Sequence, residues 1–197
     1  GLWRTLTKDE WDYLVNTRGT VSGTRYAMGT VNGVRGLILV PDDWPEELAF
    51  NSPNGGNFNS NTITAANWTN ILEANGAVFL PAGGYRSYNT VNNIGKYGQY
   101  WASTNYTANS YSAGYFCFYN YTSNYSTSQG TYMGGTTYRY EGMSVRLVRP
   151  IVSATYFSIN TTSHPFAGGT TYGAGDFMEG ATCTLTATAQ PNYTFMY

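Results

Sequence analysis

Between Lys96 and Arg139 the chain runs for 42 consecutive residues, Tyr97 to Tyr138, without a charged side chain. The stretch is written in Tyr, Ser, Asn, Thr and Gly, and residues 100–140 hold ten of the nineteen tyrosines. Within it the odd positions Tyr115, Cys117, Tyr119 and Tyr121 alternate with Phe116, Phe118 and Asn120. That period of two predicts a strand with phenylalanine turned inward and tyrosine outward. The same alphabet makes binding surfaces. Tyr offers a large amphipathic contact area at little rotamer entropy, and Ser, Asn and Gly offer adaptable hydrogen bonds.

Composition narrows the function classes. Charged residues are 11% of the chain and the net charge is −1. This gives no electrostatic footprint for nucleic acid or an anionic membrane surface. No apolar run approaches the roughly 20 residues of a membrane span, so no transmembrane segment is expected. Low charge with abundant Tyr, Asn and Thr points to an exported protein, extracellular or at a cell surface. Cys117 and Cys183 are far apart and read as small buried hydrophobes rather than a disulfide or thiolate metal pair. The chain opens at Gly1, just ahead of a helix signal, and stops at Tyr197 inside a β-type pattern. It therefore reads as cut at both ends.

Local signals mark the elements. Thr7 and Glu10 form a capping box and Leu6 and Trp11 a hydrophobic staple, predicting a helix over 8–16 that buries Trp11, Leu14 and Val15. Val31-Asn32-Gly33-Val34 carries a hairpin turn. Residues 36–40 read as a buried strand stopped by Pro41. Thr64 caps a second helix over 65–74 with Trp68, Ile71 and Leu72 on one face, and Asn75-Gly76 ends it. Residues 77–80 are a buried strand, 51–62 a long loop, and 143–149 an alternating strand. Beyond Arg149-Pro150, strands are expected at 155–160, 181–189 and 193–197, separated by turns at Gly168-Gly169 and Gly173–Gly175.

These landmarks resemble a known arrangement. Trp3-Arg4-Thr5-Leu6-Thr7 with Glu10-Trp11, the run 36–44 (GLILVPDDW), the run 77–86 (AVFLPAGGYR), Tyr100-Trp101-Ala102-Ser103-Thr104 and the run 142–149 (GMSVRLVR) are similar to motifs of the Fibrobacter-succinogenes-type major paralogous domain. The resemblance implies an α+β, C-type-lectin-like domain over 1–150, related in fold to the formylglycine-generating enzyme. It implies two helices packed on twisted antiparallel sheets with long loops, and an N-terminal strand lost before Gly1. Through the runs 179–189 (EGATCTLTATA) and 192–195 (NYTF), residues 155–197 resemble the bacterial surface β-repeat of the internalin B-repeat type. That implies a small all-β stalk module over 151–197.

The chemistry candidates are few. Calcium needs six to eight oxygens, several from carboxylates, and no Asp or Glu lies between Glu73 and Glu141. The cysteine pair used by the oxygen-dependent enzyme of the lectin-like fold is absent from 1–150, and His164 is the only histidine, which leaves zinc without ligands. Asp42, Asp43, Glu46 and Glu47 form the densest carboxylate group and read as a turn and helix cap rather than a hydrolytic pair. The triplets Asn105-Tyr106-Thr107 and Asn120-Tyr121-Thr122 match a glycosylation pattern by chance in so Asn- and Thr-rich a text. No catalytic residue, metal or cofactor is expected.

The expected function is a non-catalytic binding module of a secreted or surface-anchored bacterial protein, calcium-independent and adhesin-like, with an unknown glycan or protein ligand. Candidate contacts are Tyr106, Tyr111, Tyr119, Tyr121, Tyr125, Tyr132 and Tyr138; Trp101 is expected in the core. Two other readings stay open. One is a variable ligand-binding protein of a diversity-generating retroelement, whose mutagenised codons yield the enriched Asn, Tyr and Ser. The other is a passive cell-envelope component. Composition leaves the oligomeric state undetermined.

Overall fold

A computed structural model describes residues 3–105, 110–122, 127–149, 156–178 and 180–196. The chain divides into two compact units, Gly1–Arg149 and Pro150–Tyr197.

In the first unit, strand β1 (Arg4–Thr5) leads into α1 (Lys8–Asp12). Thr7 Oγ1 accepts the Glu10 amide at 3.1 Å, and the Glu10 carboxylate accepts the Thr7 amide at 2.8 Å. The capping box is thus made in both directions. After one turn the helix widens to π geometry at Tyr13–Thr17, where the Arg18 amide donates to Tyr13 O at 2.9 Å. The second helix behaves alike. Thr64 caps α2 (Ala65–Asn67), which becomes π at Trp68–Leu72. It buries Leu72, half-buries Trp68 and leaves Ile71 exposed.

Strands β2 (Tyr26–Val31) and β3 (Val34–Leu39) form the predicted hairpin, with Asn32 and Gly33 both at positive φ, 47° and 82°. With β4 (Thr62–Ile63) and β5 (Val78–Pro81) they make a four-stranded sheet in the order β4-β2-β3-β5. Side-chain alternation along β3 serves both faces. Leu37 joins one core with Trp11, Met28, Phe58, Leu80, Phe116 and Phe118; Ile38 joins another with Trp44, Leu72 and Ala77. Covering both faces explains why these strands read as continuous apolar runs.

The uncharged stretch folds into β8 (Tyr97–Asn105), β9 (Ser112–Thr122) and β10 (Thr127–Tyr138), an antiparallel sheet in the order β10-β9-β8. Phe116 and Phe118 are fully buried, and Trp11 stacks on Phe116 with ring centroids 4.7 Å apart. Between β5 and β8 in the chain comes a short hairpin, β6 (Tyr85–Ser87) and β7 (Thr90–Asn92). β11 (Leu147–Val148) pairs with β1 over two residues.

The expected α+β architecture of two helices packed on sheets is overturned. The molecule is mostly β, 40% strand against 14% helix, and its helices are short. The physical reason lies in length. Each helix widens after its first turns and stops, whereas the uncharged stretch sustains strands of 9, 11 and 12 residues. The alternating strand expected at 143–149 shrinks to two residues, and Val145 and Leu147 are exposed. Trp101, expected in the core, is half-buried.

The second unit holds β12 (Tyr156–Ile159) paired with β14 (Gly175–Met178), and β13 (Gly169–Tyr172) paired with β15 (Thr186–Ala189). At the expected Gly168-Gly169 turn, Gly168 closes a 3-10 turn over Phe166–Gly168 and Gly169 already opens β13; no strand forms at 193–196. A Cβ at Gly169 would lie 2.6 Å from Thr188 O, so glycine there serves close backbone approach rather than a reversal. None of the described residues of this unit is buried.

Candidate functional site

The aromatic surface is built where the β6–β7 hairpin meets the turn that ends β10. Ser87 and Thr90 pair across the hairpin, leaving Tyr88-Asn89 as a two-residue turn. Tyr88 has a φ of 49°, a left-handed conformation usually reserved for glycine or asparagine. Its ring is 74% exposed. At the end of β10 the chain turns through Tyr138-Arg139-Tyr140-Glu141, closed by the Glu141 amide donating to Tyr138 O at 3.1 Å. Thr137 Oγ1 donates to the Glu141 carboxylate at 2.9 Å, fixing that turn further.

The two turns are locked together by backbone. The Arg86 amide donates to Gly142 O at 2.7 Å and the Gly142 amide to Arg86 O at 2.8 Å. A Cβ at Gly142 would sit 3.1 Å from Arg86 Cβ, so the approach favours glycine. The outcome is a ladder of three exposed rings. Tyr138 and Tyr140 stack at 5.1 Å and 10°, and Tyr140 meets Tyr88 at 5.4 Å and 40°. The hydrogen bond with Tyr88, then partial desolvation and the neighbouring charges, hold the Tyr140 hydroxyl up at about 12. It stays a neutral donor well above physiological pH. Stacking closes the faces between rings, so the ladder offers ring edges, a row of hydroxyls and one open face at each end.

Of the seven tyrosines proposed from sequence, Tyr138 belongs to this ladder. Tyr111 is exposed in the turn before β9, and its carbonyl accepts the Arg139 amide at 2.9 Å. Tyr119 is half-buried and stacks on Tyr97 at 5.7 Å, on the face of the sheet opposite Phe118. Tyr121 stands opposite Ser128 and Tyr132 opposite Cys117 in the strand register. Tyr106 and Tyr125 lie outside the described residues. Sequence reasoning missed Tyr88 and Tyr140. Only the i, i+2 spacing of Tyr138 and Tyr140, and the short hairpin around Tyr88-Asn89, could have drawn attention to them.

The other candidates resolve into structure. Asp42 accepts from Arg18 Nη1 at 2.7 Å, and its carbonyl accepts the Val21 amide. Arg18 is buried, and it also donates from Nε to Leu14 O at 2.8 Å and from Nη2 to Val40 O at 2.5 Å. The Asp42 carboxylate therefore anchors a buried guanidinium. Glu46 and Glu47 open a single 3-10 turn, Glu46–Leu48. Cys117 is buried and unpaired, and burial pushes its thiol up to about 12. Among the described residues no group of three or more His, Cys, Asp or Glu side chains converges. No helix among them is long and apolar enough to cross a membrane.

Residues 56–148 are similar to a family described as Domain of unknown function (DUF8237), a match that takes in Tyr88, Tyr138 and Tyr140 and leaves out α1, β2 and β3. Nothing in that match links the chain to C-type lectins or to the formylglycine-generating enzyme. No curated protein and no solved structure matches the chain.

Proposed function

We propose that the first unit is a non-catalytic recognition module of a secreted or surface-anchored protein, and that the Tyr88–Tyr140–Tyr138 ladder is its contact surface. One observation carries this reading: three exposed tyrosines are held in contact, one of them in a backbone conformation that a tyrosine ordinarily avoids. Such strain persists where the surrounding structure enforces it, and it gathers at ligand-contacting positions. Rings already packed on one another lose little side-chain entropy when a ligand arrives. The row of hydroxyls suits a hydroxyl-rich, uncharged partner, and a neutral glycan is the ligand class these groups match best. Calcium needs several carboxylates, and Glu141 is the one carboxylate in the two turns that carry the ladder, so binding runs through phenols, hydroxyls and amides without calcium. Low charge and abundant Tyr, Asn and Thr support a location outside the cell.

The test is an immobilised glycan panel probed with the 197-residue chain, with and without chelator. Binding to neutral glycans should survive chelation. It should fall about tenfold or more in the Tyr138→Ala, Tyr140→Ala double variant. A folded double variant that binds as well as the parent would sink the proposal.

A further inference from the structure

A second site lies toward the other end of β9 from Ser112, the residue paired with Tyr138, and none of the three ladder tyrosines lines it. Asn120 occupies the inward position that follows Phe116 and Phe118 on β9, where the alternation of Phe ends and a carboxamide replaces it. There the core opens into a cavity of about 170 Å³ lined by Arg35, Phe58, Asn59, Lys96 and Asn120. The volume is enough for roughly five waters, and hence for one oxyanion with a few attached atoms.

Each wall is fixed by the fold. Arg35 lies on β3, and its carbonyl accepts the Ala82 amide at 2.8 Å. Its side chain passes over Gly95, where an added Cβ would stand 4.0 Å from Arg35 Cδ. Lys96 sits in the turn after β7, its amide donating to Asn93 O at 3.0 Å, and its carbonyl accepts the Asn120 amide at 3.0 Å. Phe58 forms the floor. It is 2% exposed, edge-on to Phe118 at 6.3 Å, and its carbonyl accepts from Thr30 Oγ1 at 2.8 Å. Asn59 is set by its backbone amide, which donates to Asn57 Oδ1 at 2.8 Å.

The chemistry is one-sided. Two of the ten cationic side chains converge here with two carboxamides, and no carboxylate lines the cavity. Arg4 is neutralised by Glu10 and Arg18 by Asp42. The Arg35 guanidinium has no ion-pair partner among the described residues. A guanidinium fork matches an oxyanion in two-point fashion, an ammonium adds a point charge, and the amides can meet hydroxyls beside the anion. We propose that this cavity binds a small oxyanion group, the carboxylate or sulfate of an acidic sugar or a free inorganic anion.

The experiment uses the full chain at low ionic strength, followed by backbone amide and arginine Nε resonances. Sodium sulfate, inorganic phosphate, glucuronate and glucose are titrated separately. Sulfate, phosphate or glucuronate should shift Arg35 Nε and the Asn59, Lys96 and Asn120 amides saturably, and glucose should not. A stronger response to glucuronate assigns the site to an acidic sugar; a stronger response to the inorganic ions assigns it to free anions. Arg35→Gln and Lys96→Gln should each weaken binding about tenfold, while Tyr140→Ala leaves it unchanged. Both replaced side chains are exposed, and unchanged thermal midpoints will show that the variants fold. Shifts that are unsaturable, spread over all exposed cations, equal for glucose, or unaltered in Arg35→Gln would overturn the proposal.

Discussion

The rings of Tyr88 and Tyr140 meet at 5.4 Å, although one stands on the β6–β7 turn and the other on the turn after β10. Their contact depends on the paired hydrogen bonds between Arg86 and Gly142. Tyr88 holds its place at a φ of 49°, at a cost of about 1 kcal/mol for a residue with a Cβ. The strain is local, and the exposed ring recovers little of it through burial.

Tyr88→Gly separates stability from recognition. Glycine relieves the left-handed strain, and its greater freedom in the unfolded chain takes back about 0.4–1 kcal/mol. The thermal midpoint should therefore stay near the parent value while glycan binding falls. A large drop in the midpoint would show that the ring is there for the fold.

The Tyr140 hydroxyl should titrate near 12, against about 10 for an ordinary tyrosine. Because the value is raised, the hydroxyl remains protonated across the neutral range. Binding through the ladder should be flat between about pH 6 and 9. Tyr88→Phe removes the main cause and should bring Tyr140 back toward the ordinary value. Ring-carbon NMR of labelled tyrosines reads both shifts.

Sequence exposed what is local and hid what is long-range. Thr7 and Glu10 signal their capping box from three residues apart, and Asn32-Gly33 announces its turn. Phe116 and Phe118 declare their inward face by alternation alone. Capping signals fix where a helix starts and say little about where it ends. For that reason the widening at Tyr13 and Trp68 is not legible, and what the sequence understates is the strand share, carried by strands of 9, 11 and 12 residues. Tyr88 was hidden more deeply, because its partner comes from a turn brought near only when β6 and β10 take their places. Arg35 and Lys96 likewise converge through β3 and the turn before β8, which no spacing in the text connects.

Glu10 gives the fold an acid-sensitive clasp. The hydrogen bond from Arg4, followed by the Thr7 amide, lowers its carboxyl from 4.5 to about 2. A depressed value contributes stability that is fully present above the unfolded value and is lost as pH falls toward the folded one. The gap in urea midpoint between the parent and Glu10→Gln should be full at pH 6 and vanish by about pH 2. A gap that persists unchanged in acid would show that shape rather than charge carries the clasp.

Arg18 binds three parts of the first unit at once. Its donors reach Leu14 O after α1, Arg25 O before β2 and Val40 O after β3, in addition to Asp42. Arg18→Met strips the buried Val40 carbonyl of its donor, while Arg25 O keeps the Val40 amide at 3.2 Å, and should cost about 1–3 kcal/mol in urea unfolding. Asp42→Asn should cost less, because that side chain is 66% exposed and an amide oxygen still accepts. Equal losses in the two variants would contradict this division of roles.

Gly98 faces Phe118 across the β8–β9 ladder, and a Cβ placed on it would lie 2.0 Å from Phe118 Cζ. The backbone there is ordinary strand, so alanine meets a purely steric obstacle. Displacing the ring from a filled core should cost about 1–3 kcal/mol. Gly114 offers a control in the same sheet, since its nearest neighbour, Thr104 O, stands at an ordinary 3.8 Å. Gly98→Ala should lower the urea midpoint clearly more than Gly114→Ala. The displaced ring also lies edge-on to Phe58, the floor of the Arg35–Lys96 cavity. A Gly98→Ala variant that still folds should therefore bind anions more weakly, although none of the groups contacting the anion has changed. Intact stability in Gly98→Ala would mean that Phe118 can slide aside, and that the floor of the cavity is softer than its burial implies.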